Sequence, residues 1–329
     1  MKICIPFDKQ GIGGPTTFVE KFSQALNDHS AEATSTWTSD CDVVLAVVSA
    51  PLSVLWQARR RGVPIVQRLD GVYYPAVSGR RWRLNNLPIW VTYRFFANWV
   101  IFQSEYSQRM CERFLGQPRC STSIIYNGVD LNLFTPDGAA ASISSSLLCL
   151  LATFWRQSEI LPVIAAFDQL RPHLRDTRLV VVGQLAPPIQ HIPKSRPDVL
   201  WMGQLPHHQL PATYRGATLM LSAKLRAPCP NAVLEAMACG LPIACFESGA
   251  HRELIGEQAG ICVPVDDGGF GPFPELDGAA LAEAGRSILQ SRSKFASGAR
   301  RRAEQRFSLD HMVERYIMVF RKVLRPSGD

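Results

Sequence analysis

Long, uninterrupted apolar runs are missing from this chain. The stretch most like a membrane span, residues 89–102, is broken by Arg94 and Asn98 and is too short to cross a bilayer. Residues 1–8 have no extended apolar core of the kind that marks a signal peptide. These absences argue against a membrane-spanning protein, and we expect a protein of the cytoplasm.

Paired cysteine motifs are missing as well. The nine cysteines are scattered along the chain, and no Cys-x-x-Cys occurs among them. An odd number without regular spacing argues against a disulfide framework and against a zinc site. We expect reduced, mostly buried thiols.

Charge is sparse, and the small excess is positive. Charged residues make up 19% of the sequence, and the formal net charge is +7. Residues 1–140 carry 14 basic and 11 acidic side chains, and the remainder carries 21 and 17, so both halves share the excess. This spread argues against a nucleic-acid partner. A phosphate-bearing substrate or an anionic membrane surface fits it better.

Apolar segments of strand length alternate with helical patterns along most of the 329 residues. The alternation predicts an α/β protein with parallel sheets that helices cover on both faces. A small, polar stretch at 135–146 reads as a linker. We predict two doubly wound, Rossmann-like domains over residues 1–138 and 147–308, with a last helix, 309–329, that packs back on the first. Ligands of such sheets bind beyond the carboxyl ends of the strands, which predicts a site in the cleft that the domains face.

A glycine-rich loop follows the first predicted strand. It reads Gly11-Ile12-Gly13-Gly14-Pro15, and a helical pattern comes next. Glycines at such a place let backbone amides approach a phosphate or a sugar, so Gly13 and Gly14 are candidate binding residues. The spacing is not that of the dinucleotide fingerprint, and a plain glycine-rich connection is the alternative.

One carboxylate stands alone in the second half of the chain. Glu235 is the only charged residue between Arg226 and Glu247, in a helical pattern that begins after Pro230 and stops at Gly240. An isolated carboxylate is costly to bury without partners. A ribose can supply two hydrogen bonds to it, and exposure to water is the alternative.

Five motifs occur in order and together resemble glycosyltransferase family 4, the large retaining group with the GT-B fold. They are Gly13-Gly14-Pro15-x-x-Phe18, Phe102-Gln103-Ser104-Glu105-Tyr106-Ser107, Asn127-Gly128-Val129-Asp130-x-x-x-Phe134-x-Pro136, Val182-Gly183, and Leu234-Glu235-Ala236-Met237-Ala238-Cys239-Gly240-Leu241-Pro242. The resemblance runs from about the first residue to Val265, and Phe307-Ser308-Leu309 resembles the start of the family's closing helix. It implies the transfer, with retention of configuration, of a hexose-type sugar from a nucleotide diphosphate donor to a glycan or a lipid-linked glycan. It further implies that no cofactor is needed and that the setting is cell-surface polysaccharide biosynthesis.

The resemblance also implies a donor site. Glu235 matches the second of two glutamates eight residues apart and would hold the donor ribose, whereas the first falls on Ala227, so its contact with the sugar is lost or replaced. The loop that contains Cys229 and Pro230 faces the sugar and the diphosphate in similar enzymes, and it opens a helix whose dipole favours an anion. The expected donor-binding residues are Gly13, Gly14, Arg156, Gly183, Lys224, Pro230, Asn231, Ala232 and Glu235.

The expected diphosphate clamp is altered in this sequence. The family places an Arg and a Lys after the first strand of the second domain. Arg156 takes the role of the Arg, and the Lys aligns near Ser158. Lys224 is a second candidate cation, and a solvated surface charge is the alternative for both basic residues.

Asp70 completes the predicted catalytic set of Asp70, Arg156 and Glu235. It follows a predicted strand at the position where many relatives have a His next to the reacting sugar. Asp70 would orient an acceptor hydroxyl or the donor sugar, with Arg68 as its partner or as a phosphate contact. A turn aspartate ahead of Gly71 is the alternative.

An Asp-x-Asp sequence, Asp40-Cys41-Asp42, has the form that binds metal in the other large glycosyltransferase fold. Here it directly precedes a predicted strand, where a polar turn is expected. The GT-B architecture clamps phosphate with cations and a helix start instead, so we predict no metal site.

Two basic clusters lie in the first domain, which receives the acceptor in this family. They are Arg59-Arg60-Arg61 and Arg80-Arg81-Trp82-Arg83. A Trp among arginines suits peripheral contact with the membrane face, and solvated helix ends are the alternative.

Two rival functions stay open at this point. A nucleotide-sugar epimerase uses the same double fold, although the ordered motifs argue against it. A non-catalytic nucleotide-sugar-binding protein is the other, because Ala227 and Ser158 replace two residues that the family uses.

Overall fold

The structure is a computed structural model that describes residues 1–7, 14–141, 146–154, 157–174, 176–189 and 196–325. The chain divides into two compact units. Unit 1 consists of Met1–Gly128 and Leu309–Asp329, and unit 2 consists of Val129–Ser308. The chain therefore leaves unit 1 at Gly128, earlier than the boundary at 138 that the polar stretch suggested.

Unit 1 contains a parallel sheet of six strands in its described part, in the order β2-β1-β3-β4-β5-β6. The strands are β1 (Lys2–Cys4), β2 (Glu32–Thr34), β3 (Val43–Val47), β4 (Ile65–Leu69), β5 (Trp99–Phe102) and β6 (Ser121–Ile124). The helices are α1 (Gly14–Ala25), α2 (Leu52–Arg60), α3 (Pro75–Ser78), α4 (Trp82–Val91), α5 (Glu105–Leu115) and, from the end of the chain, α12 (Leu309–Leu324).

Burial explains the strands of unit 1. Every residue of β3 and of β4 is buried, as expected for strands that helices cover on both faces. β3 is wholly apolar, but β4 contains Gln67 and Arg68, which are both 0% exposed. Because a buried charge needs a partner, the end of β4 is the first place to look for a site.

The last helix belongs to the core of unit 1. Phe22 of α1 lies 4.9 Å from Tyr316 and 6.4 Å from Phe320 of α12, between ring centres. Phe18 stacks on Phe22 at 5.1 Å. Each fully buried aromatic side chain stabilises the unit by about 1.5–3 kcal/mol, so α12 is held mainly by its apolar face.

Unit 2 contains a second parallel sheet of six strands among its described residues, in the order β12-β11-β10-β7-β8-β9. The strands are β7 (Ser146–Phe154), β8 (Arg178–Leu185), β9 (Val199–Gly203), β10 (Ala217–Ser222), β11 (Ile243–Phe246) and β12 (Gly260–Val263). The helices are α6 (Gln157–Leu170), α7 (Leu210–Gly216), α8 (Asn231–Ala238), α9 (His251–Ile255), α10 (Gly278–Gln290) and α11 (Arg292–Arg306).

Some elements were not expected from the sequence. α4 contains Pro88 and continues into a π-helical turn, Thr92–Phe96. The spacing of apolar residues in this segment therefore does not follow the period of a regular α-helix. α11 is strongly polar, and only Gly298, Ala299 and Ala303 are buried in it. No helix among the described residues is long and apolar enough to cross a membrane.

Candidate functional site

The motif residues of unit 1 converge on one buried arginine. Arg68 donates from Nη1 to Asp70 and from Nη2 to Oδ1 of Asn127 at 3.0 Å. Its guanidinium lies 3.7 Å from the centre of the Phe18 ring. Phe18 and Asn127 come from different motifs, so two of the motifs of unit 1 meet at this charge.

Asp70 lies where three neighbouring strands end. It follows β4 directly, Gln103 follows β5, and Asn127 lies shortly after β6. Burial raises the pKa of Asp70, and the charge of Arg68 and hydrogen bonds from Gln103 and Arg68 oppose the rise. The side chain keeps 21% of its surface exposed, whereas that of Arg68 has none. Asp70 is therefore the part of this cluster that a ligand can reach.

The first helix begins beside this carboxylate. A side chain added at Gly14, the first residue of α1, would come within 3.8 Å of Oδ2 of Asp70. Glycine thus leaves room next to the second carboxylate oxygen. Gly13 lies outside the described residues, and the donor contacts of Gly13 and Gly14 stay predictions.

Glu235, in the second turn of α8, is buried rather than open to water. Only 5% of the residue is exposed. Nε2 of His207 lies 2.9 Å from Oε1, and the hydroxyl of Tyr214 donates to Oε2 at 3.3 Å. Both carboxylate oxygens of Glu235 therefore have polar partners within unit 2 that fix the orientation of the side chain.

His207 and Tyr214, the partners of Glu235, both pack against Phe134, which belongs to the motif that starts at Asn127. The Phe134 ring is 0% exposed and lies 5.0 Å from the His207 ring and 6.1 Å from the Tyr214 ring. Burial, together with the charge of Glu235, raises the pKa of Tyr214 well above its ordinary value. Tyr214 thus stays a hydroxyl donor at all physiological pH values.

The start of α8 has the form that the donor site requires. Pro230 is its N-cap and makes no side-chain cap hydrogen bond, and its first turn contains no acidic residue. Asn231 and Ala232 lie in that first turn, so no carboxylate of the turn itself opposes the positive end of the helix. Pro230, Asn231 and Ala232 therefore lie together at one helix start.

Lys224 has a counterion inside unit 2. Its Nζ lies 3.1 Å from Oε1 of Glu159, a carboxylate in the first turn of α6 that is 1% exposed. Lys224 is therefore one partner of a partly buried ion pair, and not the solvated surface charge that was the alternative. α6 begins at Gln157, directly after Arg156, which lies outside the described residues.

The loop before α8 is anchored by Arg226, which has a left-handed backbone with φ of 54°. Its guanidinium donates to Oδ1 of Asp267 at 2.6 Å and to the carbonyl of Gly271 at 2.8 Å. Ala227 comes next, and its carbonyl accepts from the amide of Ala250 at 2.9 Å. A left-handed conformation at a non-glycine residue is costly and persists only where its surroundings impose it, so this loop has a fixed backbone.

Gly183 occupies a position in β8 with φ of 129°, which favours glycine. Its carbonyl accepts a hydrogen bond from the Trp201 indole of β9 at 3.0 Å. The pairing of β8 with β9 shifts register between Val181 and Val182. The glycine is thus explained by local strand geometry, and its donor contact stays a prediction.

The Asp-x-Asp residues are used within unit 1. Nζ of Lys2 lies 2.7 Å from Asp40, and the backbone amide of Lys2 donates to Asp42 at 2.7 Å. Both aspartates precede β3, so they lie at the amino ends of the strands, whereas Asp70 lies at the carboxyl ends. Among the described residues, no three His, Cys, Asp or Glu side chains gather where they could hold a metal ion. Independence from metal stays a prediction.

Several residues of these clusters were not found from the sequence. His207 and Tyr214 precede Glu235 by 28 and 21 residues, and Glu159 precedes Lys224 by 65. A polar residue in a short helical segment gives little indication of such distant partners. The adjacent histidines at 207 and 208 were the one visible signal.

Two family models match the sequence, each over one part of the chain. One, described as Glycosyltransferase Family 4, matches residues 8–133, and the other, described as Glycosyl transferases group 1, matches residues 145–290. Together they account for most of both units. The chain belongs to the family 4, group 1 glycosyltransferases, and no curated protein matches it by sequence.

Solved structures share the fold over the whole chain. Anabaena HepE in complex with UDP-glucose has a TM-score of 0.75 at 16% identity, covering 98% of this chain and 100% of that one. Sucrose-phosphate synthase from Thermosynechococcus elongatus has a TM-score of 0.74 at 15% identity, covering 98% of both chains. A glycosyltransferase from Rickettsia africae has a TM-score of 0.70 at 14% identity, covering 99% and 98%. The fold is therefore GT-B, with two Rossmann-like units.

Proposed function

We propose that the protein transfers a hexose-type sugar from a nucleotide diphosphate to a hydroxyl group of a glycan or lipid-linked glycan, with retention of configuration at the anomeric carbon. The observation that carries the proposal is Glu235, a buried carboxylate whose two oxygens are oriented by His207 and Tyr214. A carboxylate oxygen accepts more than one hydrogen bond, so an oriented carboxylate suits the vicinal hydroxyls of a ribose.

The start of α8 supports a diphosphate next to that ribose. Pro230, the N-cap residue, makes no side-chain cap hydrogen bond, and Asn231 and Ala232 are the first two residues of the helix. Helix starts of this kind bind anions through free amides and the helix dipole. We place the diphosphate there, with Arg156 as the cation that neutralises it.

The reaction exchanges one bond at the anomeric carbon for another. The bond from that carbon to the donor phosphate breaks, and the electron pair leaves with the diphosphate. The acceptor oxygen forms its bond on the same face, and the departing phosphate accepts the hydroxyl proton. Because negative charge grows on the diphosphate, Arg156 and the start of α8 would stabilise the transition state more than the ground state.

Asp70 has a separate task in this proposal. It is the reachable carboxylate of unit 1, and Arg68 and Gln103 fix its orientation. An oriented carboxylate accepts a hydrogen bond from a sugar hydroxyl, so Asp70 would position either the acceptor or the donor sugar. Metal is not required by any of these steps.

A donor screen tests the proposal. Nucleoside diphosphates with different bases are added to the protein, and unfolding temperatures are recorded, starting with UDP because solved neighbours hold UDP-glucose and UDP. A ligand at 100 times its dissociation constant stabilises the fold by about 2.7 kcal/mol. Absence of any shift across all bases would overturn the donor site.

A second assay separates an enzyme from a binding protein. The matching sugar nucleotide is incubated with a panel of glycan acceptors, and release of nucleoside diphosphate is measured. Turnover supports the transferase. Tight donor binding without turnover on any acceptor would mean that Ala227 and Ser158 have left a binding protein.

A further inference from the structure

One segment of unit 1 concentrates the positive charge of the chain. Residues 51–104 contain eight arginines and a single carboxylate, Asp70. Their surplus of seven positive charges equals the formal net charge of the whole protein, +7. A count by halves hides this concentration, because acidic residues elsewhere in the first half cancel it.

The arginines of this segment face solvent. Arg68 is buried and neutralised by Asp70, whereas six of the others are exposed. These six are Arg59, Arg60, Arg61, Arg80, Arg81 and Arg83. No acidic residue of the segment is left to oppose them, so they give this part of unit 1 a strong positive potential.

Large apolar side chains are exposed among the same residues. Seven of the ten large hydrophobic side chains that the described residues expose lie between positions 52 and 95. Trp56 of α2 is 54% exposed, Leu84 and Leu87 of α4 are 69% and 51% exposed, and Phe95 is 50% exposed. An exposed apolar patch of this kind marks an interaction surface.

Contacts join α2, the turn at Phe95 and the end of α4. Arg59 of α2 donates to the carbonyl of Phe95, and Trp56 lies 5.3 Å from the ring of Phe96. The Phe95 ring lies 5.3 Å from Trp90 of α4. Leu84 and Leu87 are spaced three residues apart on that helix, and therefore share one face.

We infer that this surface, which consists of α2, residues 80–91 and the turn at Phe95, docks the protein on a bilayer that contains anionic phospholipids. The phosphates of the headgroups match the arginines in charge, and the aromatic and aliphatic side chains reach the acyl boundary. A soluble acidic protein would match the charge, but it would not account for leucines exposed beside the arginines. The inference needs no assumption about the donor or about catalysis.

Vesicle co-sedimentation tests the inference on the full chain. Vesicles of phosphatidylcholine alone are compared with vesicles of equal parts phosphatidylcholine and phosphatidylglycerol. We expect binding to the anionic vesicles that weakens as salt increases. Equal binding to both kinds of vesicle, or to neither, would overturn the inference.

A charge-matched pair of variants locates the surface. Arg80→Gln, Arg81→Gln and Arg83→Gln together should lower partition onto anionic vesicles by about 100-fold, since each arginine near such a surface contributes about fivefold. The control replaces three exposed arginines of unit 1 elsewhere, Arg113, Arg119 and Arg321, by Gln. The control should change partition by less than about tenfold, and an equal loss in both variants would contradict the assignment.

Two variants at exposed apolar positions test whether the leucines contribute to vesicle binding. Leu84→Ser should lower partition by about tenfold, whereas Met318→Ser, which changes a side chain of α12 that is 51% exposed, should leave it unchanged. Sedimentation velocity without vesicles completes the test. If the wild type were a dimer that Leu84→Ser dissociates, and bound no vesicles, the surface would instead be a contact between copies.

Discussion

The candidate site of each unit contains a carboxylate, and the two units hold these carboxylates in different ways. Asp70 of unit 1 is fixed by a charged guanidinium that is itself fully buried. Glu235 of unit 2 is held by a tyrosine hydroxyl and an imidazole. A carboxylate already paired with a cation is an orienting group. A carboxylate that a hydroxyl and an imidazole orient is suited to a ligand that brings hydroxyl groups.

The difference also explains what each motif preserves. In unit 1, Phe18 and Asn127 surround Arg68, so the motifs protect an ion pair. In unit 2, Phe134 packs against the two donors to Glu235. The following predictions test whether the Arg68–Asp70 cluster stabilises unit 1 and whether the Glu235 cluster binds the donor. They begin with the largest expected effect.

Removing the cation of unit 1 should cost the most stability. Arg68→Met leaves Asp70 without its buried partner, and loss of one member of such a pair costs about 3–5 kcal/mol. Denaturant unfolding measures the loss. Arg171→Met is the control. The Arg171 side chain is 53% exposed and pairs with Asp198, so its loss should cost less than about 1 kcal/mol. Similar losses in both variants would mean that Arg68 is not a structural partner.

The predicted clamp of unit 2 should affect turnover rather than folding. Arg156→Ala should lower kcat by about 100- to 1,000-fold, as loss of one group that stabilises transition-state charge does, with a smaller effect on donor binding. Steady-state kinetics with an identified donor measures both. Ser158→Lys in the same background should restore part of the rate if position 158 faces the diphosphate. Near-normal kcat in Arg156→Ala would shift the clamp to Lys224 or to the amides of α8.

The hydroxyl donor to Glu235 gives a finer test. Tyr214→Phe removes one hydrogen bond to a charged group and should weaken nucleoside diphosphate binding by about 10-fold or more, because the carboxylate loses its orientation. Tyr93→Phe is a matched control, since its hydroxyl donates to the carbonyl of Gly116 in unit 1 at 2.9 Å. If the control weakened binding equally, Tyr214 would have no specific role in the donor site.

Asp70 should leave a pH signature. Burial raises its pKa in the folded protein, so the folded state holds the proton more tightly than the unfolded state. The contribution of this carboxyl to stability is therefore full below its ordinary value of 3.8 and is lost as the pH rises through the raised pKa. Unfolding of the wild type and of Asp70→Asn across the acid range measures it. A contribution that grows with pH would show that Arg68 outweighs burial.

The smallest effect expected is that of a chelator. Asp40 and Asp42 are used by Lys2, so excess chelator should leave turnover unchanged. Abolished turnover that manganese restores would contradict metal independence.

The sequence predicts the fold better than the contacts within the site. Alternation of apolar strands and helices is local information, and it places both sheets and the position of Glu235. Arg226 and Val48 have φ values of 54° and 65°, which no residue pattern encodes because packing imposes them. The partners His207 and Tyr214 come from a separate segment, and only the folded sheet order brings them to Glu235.

The most direct test asks whether Glu235 contacts the ribose. Calorimetry compares a nucleoside diphosphate with its 2′,3′-dideoxy form, on the wild type and on Glu235→Gln, using the base that the donor screen selects. The account predicts that the wild type prefers the hydroxylated form by about 10- to 150-fold, the value of hydrogen bonds to a charged group, and that the preference falls markedly in the variant. An equal preference in both proteins would remove Glu235 from the donor site.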